Sequence, residues 1–259
     1  MSIFENLQQI HHNIDRATRE WNRSSNDINL VAVSKHQTPE KIQEALNAGH
    51  RLFGENRVQE AYEHWAKHKE SGDYPDLKLH LIGPLQTNKI KDALELFDVI
   101  ETLDREKLAR KLGQAIATTN SFLDSKHEQA SEASRAERSD LLEHGETERQ
   151  RTHAKKAKSY TCFIQVNTGE EPQKAGIAPK ELPDFLKYCQ NDCGLDIIGL
   201  MCIPPIDDPA ALHFALLRKL AGENALPHLS MGMSADYETA IAHGATYVRV
   251  GTSIFGERD

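Results

Sequence analysis

Residues 28–54 have the sequence INLVAVSKHQTPEKIQEALNAGHRLFG, and this stretch shows the pattern that indicates the fold. It begins with a short apolar run at 28–33, which is typical of a buried β-strand. Thr38 and Pro39 predict the start of a helix, because threonine caps helices and proline is favoured at their first position. Gly49 predicts the end of that helix, and the apolar residues after it begin a second strand. The stretch is therefore predicted to be a strand–helix–strand unit with parallel strands.

The same alternation continues to the end of the chain. Further strands are predicted at 77–82, 97–101, 160–166, 195–201, 228–231 and 247–250. This makes eight strands, and a helical segment follows each of the first seven. Continuous apolar strands that alternate with helices indicate a parallel sheet, and eight such units predict an α/β protein with a single (β/α)8 TIM barrel. The alternative is a doubly wound open sheet, which usually has fewer strands and a glycine-rich first turn that this sequence lacks.

A leading amphipathic helix precedes the first strand and can fill the eighth helical place. Its apolar residues recur at steps of three and four, as one helical face requires. They are Ile3, Leu7, Ile10, Ile14, Ala17 and Trp21. The whole chain, residues 1–259, is predicted to be one barrel domain, interrupted by a charged insertion at about 119–158. That segment contains no Val, Ile, Trp or Tyr, so we expect it to be flexible or a solvated helix.

The composition limits the classes of protein and partner. The chain carries 31 Lys and Arg against 39 Asp and Glu, a formal net charge of −8, so it has no overall field that attracts nucleic acid. No apolar stretch approaches the roughly 18 residues of a membrane span, and the first residues lack the features of a signal peptide. We expect a cytoplasmic protein with reduced cysteines. Neither the Cys189 and Cys193 pair nor the His64 and His68 pair has the further ligands of a metal site, so none is predicted.

Two features at the predicted carboxyl ends of the strands suggest a ligand site, since this face of a barrel carries the active site. Lys35 follows the first strand, and a lysine that is partly desolvated is more available as the neutral amine for Schiff-base formation. Small and hydroxyl-bearing residues follow the last two strands, where barrels commonly bind phosphate. These residues are Ser230, Ser234, Gly251 and Thr252. A solvated lysine and ordinary turns are the alternatives. A ligand with an aldehyde and a phosphate, such as pyridoxal 5′-phosphate (PLP), fits both features together.

Ordered motifs along almost the whole chain outside the insertion carry a family resemblance. They are VAVSK at 31–35, FGEN at 53–56, HLIGPLQTNK at 80–89, GLM at 199–201, LSMGMSAD at 229–236 and VRVGTSIFG at 248–256. In these motifs the chain resembles the pyridoxal phosphate homeostasis protein family. The resemblance implies a PLP-binding barrel like the N-terminal domain of alanine racemase.

The resemblance also implies how PLP would be held at its two ends. Lys35 would form the Schiff base with the aldehyde. Ser234 and the backbone and hydroxyl groups of Gly251 and Thr252 would hold the phosphate, with Ser230 assisting.

Two further residues would contact the pyridine ring. By the resemblance, Asn56 would lie beside the ring and Arg249 would face its nitrogen. Arginine is a donor that stays charged, so it favours an unprotonated ring. An unprotonated ring is a poor electron sink, and this favours handling of the cofactor over carbanion chemistry.

Two features depart from the family pattern. The family often has a second lysine shortly after the Schiff-base lysine, whereas this chain has His36 and Gln37 there, which puts a transfer role for that lysine in doubt. The charged insertion is also longer than the usual connection. Lys174 matches a family lysine and is a candidate for a secondary PLP contact.

We therefore predict a non-catalytic PLP-binding protein that handles PLP as a homeostasis or carrier protein, as a monomer, with PLP-dependent apoenzymes as candidate partners. The alternative is a fold-type III PLP enzyme such as an amino-acid racemase. Those enzymes normally add a β domain that completes the site, and this chain ends at Asp259, three residues past Gly256, without one. A barrel that binds a sugar phosphate is the third hypothesis, and it needs no lysine chemistry.

Overall fold

Eight parallel strands form a closed barrel in the computed structural model, which describes residues 2–121 and 160–257. In chain order they are β1 (Asn29–Val33), β2 (Leu52–Glu55), β3 (Lys78–Leu81), β4 (Val99–Leu103), β5 (Thr161–Gln165), β6 (Asp196–Met201), β7 (His228–Ser230) and β8 (Tyr247–Val250). Each strand pairs with the next, and β8 pairs with β1, where Leu30 lies opposite Val248. The predicted TIM barrel is confirmed, and the open sheet is excluded because the closed ring leaves no edge strand.

Helices surround the barrel. They are α1 (Ile3–Glu20), α2 (Pro39–Asn47), α3 (Val58–Ser71), α4 (Ile90–Leu96), α5 (106–121), α6 (Leu182–Lys187), α7 (Ala210–Glu223), α8 (Tyr237–Ala242) and α9 (Thr252–Phe255). Helix α5 reaches the last residue described before the gap. Residues 119–121 of the predicted insertion belong to α5, and the rest of the insertion lies outside the described residues.

The leading helix α1 occupies the eighth helical place. Its start is fixed by a capping box, in which the Ser2 hydroxyl accepts from the Glu5 N–H and the Glu5 carboxylate accepts from the Ser2 N–H. The apolar residues of its face from Ile3 to Ala17 are buried, and α1 packs against α2, α8 and α9. Trp21, which the sequence pattern places on the same face, is instead the residue after the helix and is 57% exposed. The predicted leading helix is confirmed, and it closes the outer ring between the last helices and α2.

The first strand–helix–strand unit, β1–α2–β2, has the helix boundaries that its sequence predicts. The side chain of Thr38 caps α2 by accepting from the Lys41 N–H at 3.4 Å, and Pro39 is its first residue. Gly49 has a φ of +87°, the left-handed conformation that favours glycine after a helix. These local signals return the chain to the barrel, where β1 and β2 pair in parallel.

Two details differ from the sequence prediction. The sequence pattern places the fourth strand at 97–101, but the strand lies at Val99–Leu103, because Phe97 is the buried residue that caps the end of α4. Helix α9 was not predicted, since Thr252–Phe255 is a single turn without a periodic apolar pattern.

The core has two parts. A large cluster fills the space between the strands and the helices, and a small one, Val99, Phe163 and Met201, lies within the barrel against Ile198 and Tyr247.

The four cysteines are free thiols, and burial raises the pKa of the Cys202 thiol to about 12. No helix in the described part of the chain is long and apolar enough to cross a membrane.

Candidate functional site

A cavity of about 330 Å³ opens at the carboxyl ends of the strands. The residues predicted for the site that line it are Lys35, Asn56, Ser234, Arg249, Gly251 and Thr252. The rest of the lining is largely apolar and includes Val33 and Ile82. A cavity of this size with a few convergent polar groups is typical of a site for one small molecule. The structure thus brings together six of the seven residues, and Ser230 is not part of the lining.

Lys35 lies directly after β1, between two residues that are held by carboxylates. The Ser34 hydroxyl, which is fully buried, donates to Oε1 of Glu55 at 2.6 Å. The backbone N–H of His36 donates to the Glu60 carboxylate. His36 has a φ of +60°, so the chain turns sharply just after the lysine. Contacts on both sides therefore fix the position of Lys35 at the cavity.

Glu55 is the centre of a buried polar group behind this loop. Besides Ser34, its Oε1 accepts from Nε1 of Trp65 at 3.0 Å and contacts Nδ1 of His64 at 2.9 Å. Burial alone lowers the pKa of His64, but the hydrogen bond and charge of Glu55 outweigh it and raise that pKa. Among the described residues, Glu55, Glu60 and His64 form a group with candidate metal-ligand atoms within 4.8 Å of one another. The contact between Glu55 and His64 has the geometry of an ion pair.

The loops after β7 and β8 line the part of the cavity beside the loop of Lys35, since β8 pairs with β1. The Gly251 N–H donates to Oγ of Ser234 at 3.3 Å, which leaves the Ser234 hydroxyl proton for a ligand. A Cβ on Gly251 would lie 3.3 Å from the backbone oxygen of Val33, so a small residue suits this close approach. Thr252, at the start of α9, is exposed and adds a second hydroxyl. These hydroxyl and N–H groups are the donors that bind phosphate oxygens.

Arg249 forms the buried floor of the cavity. Its Nη1 donates to Oγ of Ser230 at 2.7 Å, and its Nη2 donates to the carbonyl oxygen of Cys202 at 2.9 Å. The Ser230 hydroxyl donates to Oε2 of Glu101 at 2.5 Å. Ser230 is fully buried, and both of these contacts lie beneath the lining. Its assistance to the phosphate site stays a prediction, since its hydroxyl is shared between Arg249 and Glu101.

Glu101 and His80 are polar residues of the barrel interior that sequence reasoning missed. Nδ1 of His80 lies 2.6 Å from Oε1 of Glu101, and both side chains are buried. Burial by itself raises the pKa of Glu101, but the contacts with His80, Arg249 and Ser230 outweigh it and lower that pKa. The signal was present in the sequence, because an ionisable residue inside an apolar strand requires a partner.

Asn56 and Lys174 occupy different places relative to the cavity. Asn56 directly follows β2 and lies against Gly83, which is in the loop after β3. A Cβ added to Gly83 would come within 2.2 Å of the backbone oxygen of Asn56, so these two loops are in close contact. Lys174 pairs with Glu171 at 2.6 Å on the loop after β5 and is not part of the lining. Its secondary PLP contact stays a prediction.

The described lining of the cavity contains few ionisable side chains. Among the described residues that line it, Lys35 and Arg249 are the ionisable ones. Lysine offers a nucleophilic amine that can also accept or donate a proton, whereas arginine remains protonated. The lining thus combines a single nucleophile with a fixed cation and phosphate-binding groups.

Comparison with known proteins finds relatives along the whole chain. The family model for the N-terminal domain of alanine racemase matches residues 6–259. The chain is 37% identical to the pyridoxal phosphate homeostasis protein of Pasteurella multocida and 34% identical to that of Aquifex aeolicus, over 100% of this chain and 99% of each relative. PipY from Synechococcus elongatus, solved with PLP bound, has a TM-score of 0.71 and 33% identity, covering 98% of this chain and 100% of PipY. The resemblance in the sequence motifs is confirmed, and the chain belongs to the pyridoxal phosphate homeostasis protein family.

Proposed function

We propose that this chain binds PLP in the cavity at the barrel mouth and handles intracellular PLP as a homeostasis or carrier protein. The observation that carries the proposal is the convergence of the Lys35 amine, the Arg249 guanidinium and the Ser234 hydroxyl on one cavity of about 330 Å³. PipY, a relative of similar fold, binds PLP.

The residues of the cavity fit the functional groups of PLP. PLP supplies an aldehyde that condenses with a primary amine, and Lys35 is the amine of this cavity. Ser234, Gly251 and Thr252 would hold the phosphate through hydroxyl and N–H groups. Arg249 would donate to the ring nitrogen, with Asn56 beside the ring. The ligand would thus be held covalently at one end and by hydrogen bonds at the other.

The chain handles PLP without turning over amino acids. Racemisation needs an acid and a base on opposite faces of the substrate carbon. The described lining offers Lys35 as the one side chain able to exchange a proton, since Arg249 stays charged. The same proposal holds that the protein is a cytoplasmic monomer, and that PLP-dependent apoenzymes receive its ligand.

The proposal is tested by titrating the purified protein with PLP and following its absorption, before and after reduction with borohydride. We expect a new absorption band and, after reduction, PLP attached to the peptide that contains Lys35. Lys35→Ala should abolish both, while Lys219→Ala, at an exposed lysine of α7, should behave as the wild type. A wild type that stays colourless would favour the sugar-phosphate hypothesis, and a full band in Lys35→Ala would refute the anchor.

Turnover is measured on the same PLP-loaded protein with a panel of L-amino acids. We expect no racemisation or decarboxylation above the rate of free PLP. Robust turnover that is lost in Lys35→Ala would contradict the carrier function and establish the enzyme alternative.

A further inference from the structure

A continuous polar network crosses the barrel interior beneath the cavity. It joins four strands, with His80 from β3, Glu101 from β4, Ser230 from β7 and Arg249 from β8. The contacts are 2.6 Å between His80 and Glu101, 2.5 Å between Glu101 and Ser230, and 2.7 Å between Ser230 and Arg249. All four side chains are buried. The network ends at the cavity, because Arg249 is the member that lines it.

Glu101 supplies the negative charge of this network. Its Oε2 lies 4.0 Å from Nη1 of Arg249, and both side chains are at most 3% exposed. In the described part of the chain, no other carboxylate forms an ion pair with Arg249. A buried guanidinium needs a counter-charge, since burial removes its hydration. Glu101 therefore compensates the charge of Arg249.

Ser230 and Cys202 fix the orientation of the same guanidinium. Nη1 of Arg249 is held by the Ser230 hydroxyl and Nη2 by the Cys202 carbonyl oxygen. A guanidinium has five N–H donors in a fixed plane, so two fixed nitrogens determine where the remaining donors point. The position of the donor at the cavity thus depends on residues that do not line it.

We propose that Glu101 is the counter-ion of Arg249 and that Glu101 and Ser230 are positioning residues, which set the charge and direction of the donor that Arg249 presents to a bound pyridine nitrogen. This inference rests on the proposed function. When the Glu101 carboxylate offsets the charge of Arg249, the guanidinium still donates a hydrogen bond to the ring nitrogen. Its positive field on the rest of the ligand is then weaker than that of an unpaired arginine.

Removing the charge of Glu101 has a definite electrostatic consequence. The positive charge of Arg249 then acts uncompensated on bound PLP and disfavours protonation of its basic nitrogens. For a unit charge about 10 Å away in a protein interior, the expected effect is a fall of about one pH unit in a titration midpoint. Among the described residues, the other titratable groups beside the network include Tyr247, whose ring lies 5.5 Å from that of His80, and the Cys202 thiol, which interacts electrostatically with Arg249. Burial raises the pKa of both groups, so they stay neutral in the range of the measurement.

The test is a pH titration of the absorption of the PLP-loaded protein. Glu101→Gln keeps the size of the side chain and removes its charge, and we expect its midpoint to fall by about one pH unit below the wild-type value. Glu223→Gln is the matched control, since it removes the same charge from an exposed site on α7. A purely structural role for Glu101 would lower stability without moving the midpoint, so a midpoint equal to the wild-type value overturns the inference.

A second variant keeps the test decisive where Glu101→Gln does not fold. Ser230→Ala leaves both charges and removes the hydroxyl that joins them, so we expect the Kd to rise about tenfold both for PLP and for pyridoxal, which lacks the phosphate. A rise for PLP alone would assign Ser230 to the phosphate and overturn its positioning role. An unchanged Kd overturns the positioning role of Ser230. Lys35→Ala distinguishes failure of the proposed function from failure of this inference. If Lys35→Ala keeps the wild-type band, the proposed function fails. If it loses the band while the Glu101 and Ser230 variants match the wild type, only this inference fails.

Discussion

At the scale of single residues, the candidate site depends on side chains that hold its reactive group in place. Lys35 projects from a loop whose two flanking residues are each tied to a carboxylate, Ser34 to Glu55 and His36 to Glu60. A non-glycine residue with a left-handed φ is costly unless its surroundings hold it there. The His36 N–H has such a contact, so the turn that presents the lysine is fixed by α3 rather than by its own preference.

The residue-scale prediction concerns Glu60. Glu60→Ala removes the acceptor for the His36 N–H, so the loop loosens and the Kd for PLP should rise about tenfold, the equivalent of one charged hydrogen bond of about 1.4 kcal/mol. Kd is measured by absorption titration. His36→Asn retains the backbone N–H and tolerates the left-handed conformation, so it should bind nearly as the wild type. Glu63→Ala, at an exposed carboxylate on the same helix, is the charge control. Equal weakening by Glu60→Ala and Glu63→Ala would contradict a role specific to this loop.

At the scale of elements, the sequence predicts the strands better than their registers. Strands buried on both faces are continuous apolar runs, so eight of them stand out, and Lys35 and the small residues after the last strands could be placed at the mouth. The limits of β4 could not be predicted, because apolar residues of α4 precede it. Its observed span, Val99–Leu103, puts Glu101 in mid-strand, facing Ser230 and His80. Which interior residues meet depends on the register of four strands, which is a property of the closed barrel.

The turn between β7 and α8 gives the element-scale prediction. Gly232 has a φ of +87°, and a Cβ there would lie 2.5 Å from Cβ of Ala240, so Gly232→Ala should lower the free energy of unfolding by about 1–3 kcal/mol. Gly222, within α7, has no neighbour within 4 Å of the added Cβ, and Gly222→Ala should raise that free energy by roughly 0.5–1 kcal/mol. Urea unfolding measures the free energy of unfolding of both variants and checks both predictions. A Gly232→Ala protein as stable as the wild type would show that the turn relaxes.

At the scale of the whole molecule, the same buried charges serve stability and the candidate site. Arg249 and Glu101 tie β8 and β4 across the barrel interior through Ser230 of β7. The contacts that orient the cavity's donor therefore also hold opposite sides of the barrel together. A change in the ionisation of Glu101 is expected to affect the free energy of unfolding of the entire domain.

The whole-molecule prediction is the pH dependence of stability that Glu101 contributes. Its pKa is lower in the folded barrel than its ordinary value of 4.5, so its contribution is fully present above about pH 4.5 and is lost as the pH falls through the folded value. Glu101→Gln should therefore cost about 3 kcal/mol of unfolding free energy at pH 7, the lower end for breaking a buried ion pair, and less as the medium becomes acidic. Urea unfolding of PLP-free wild type and variant at pH 7, 4 and 3 measures the difference at each pH. Glu223→Gln, at an exposed pair, should cost at most about 1 kcal/mol at every pH. A wild-type advantage that stays constant between pH 7 and pH 3 would mean that the charge of Glu101 does not stabilise the barrel, and the loss would then reflect packing alone.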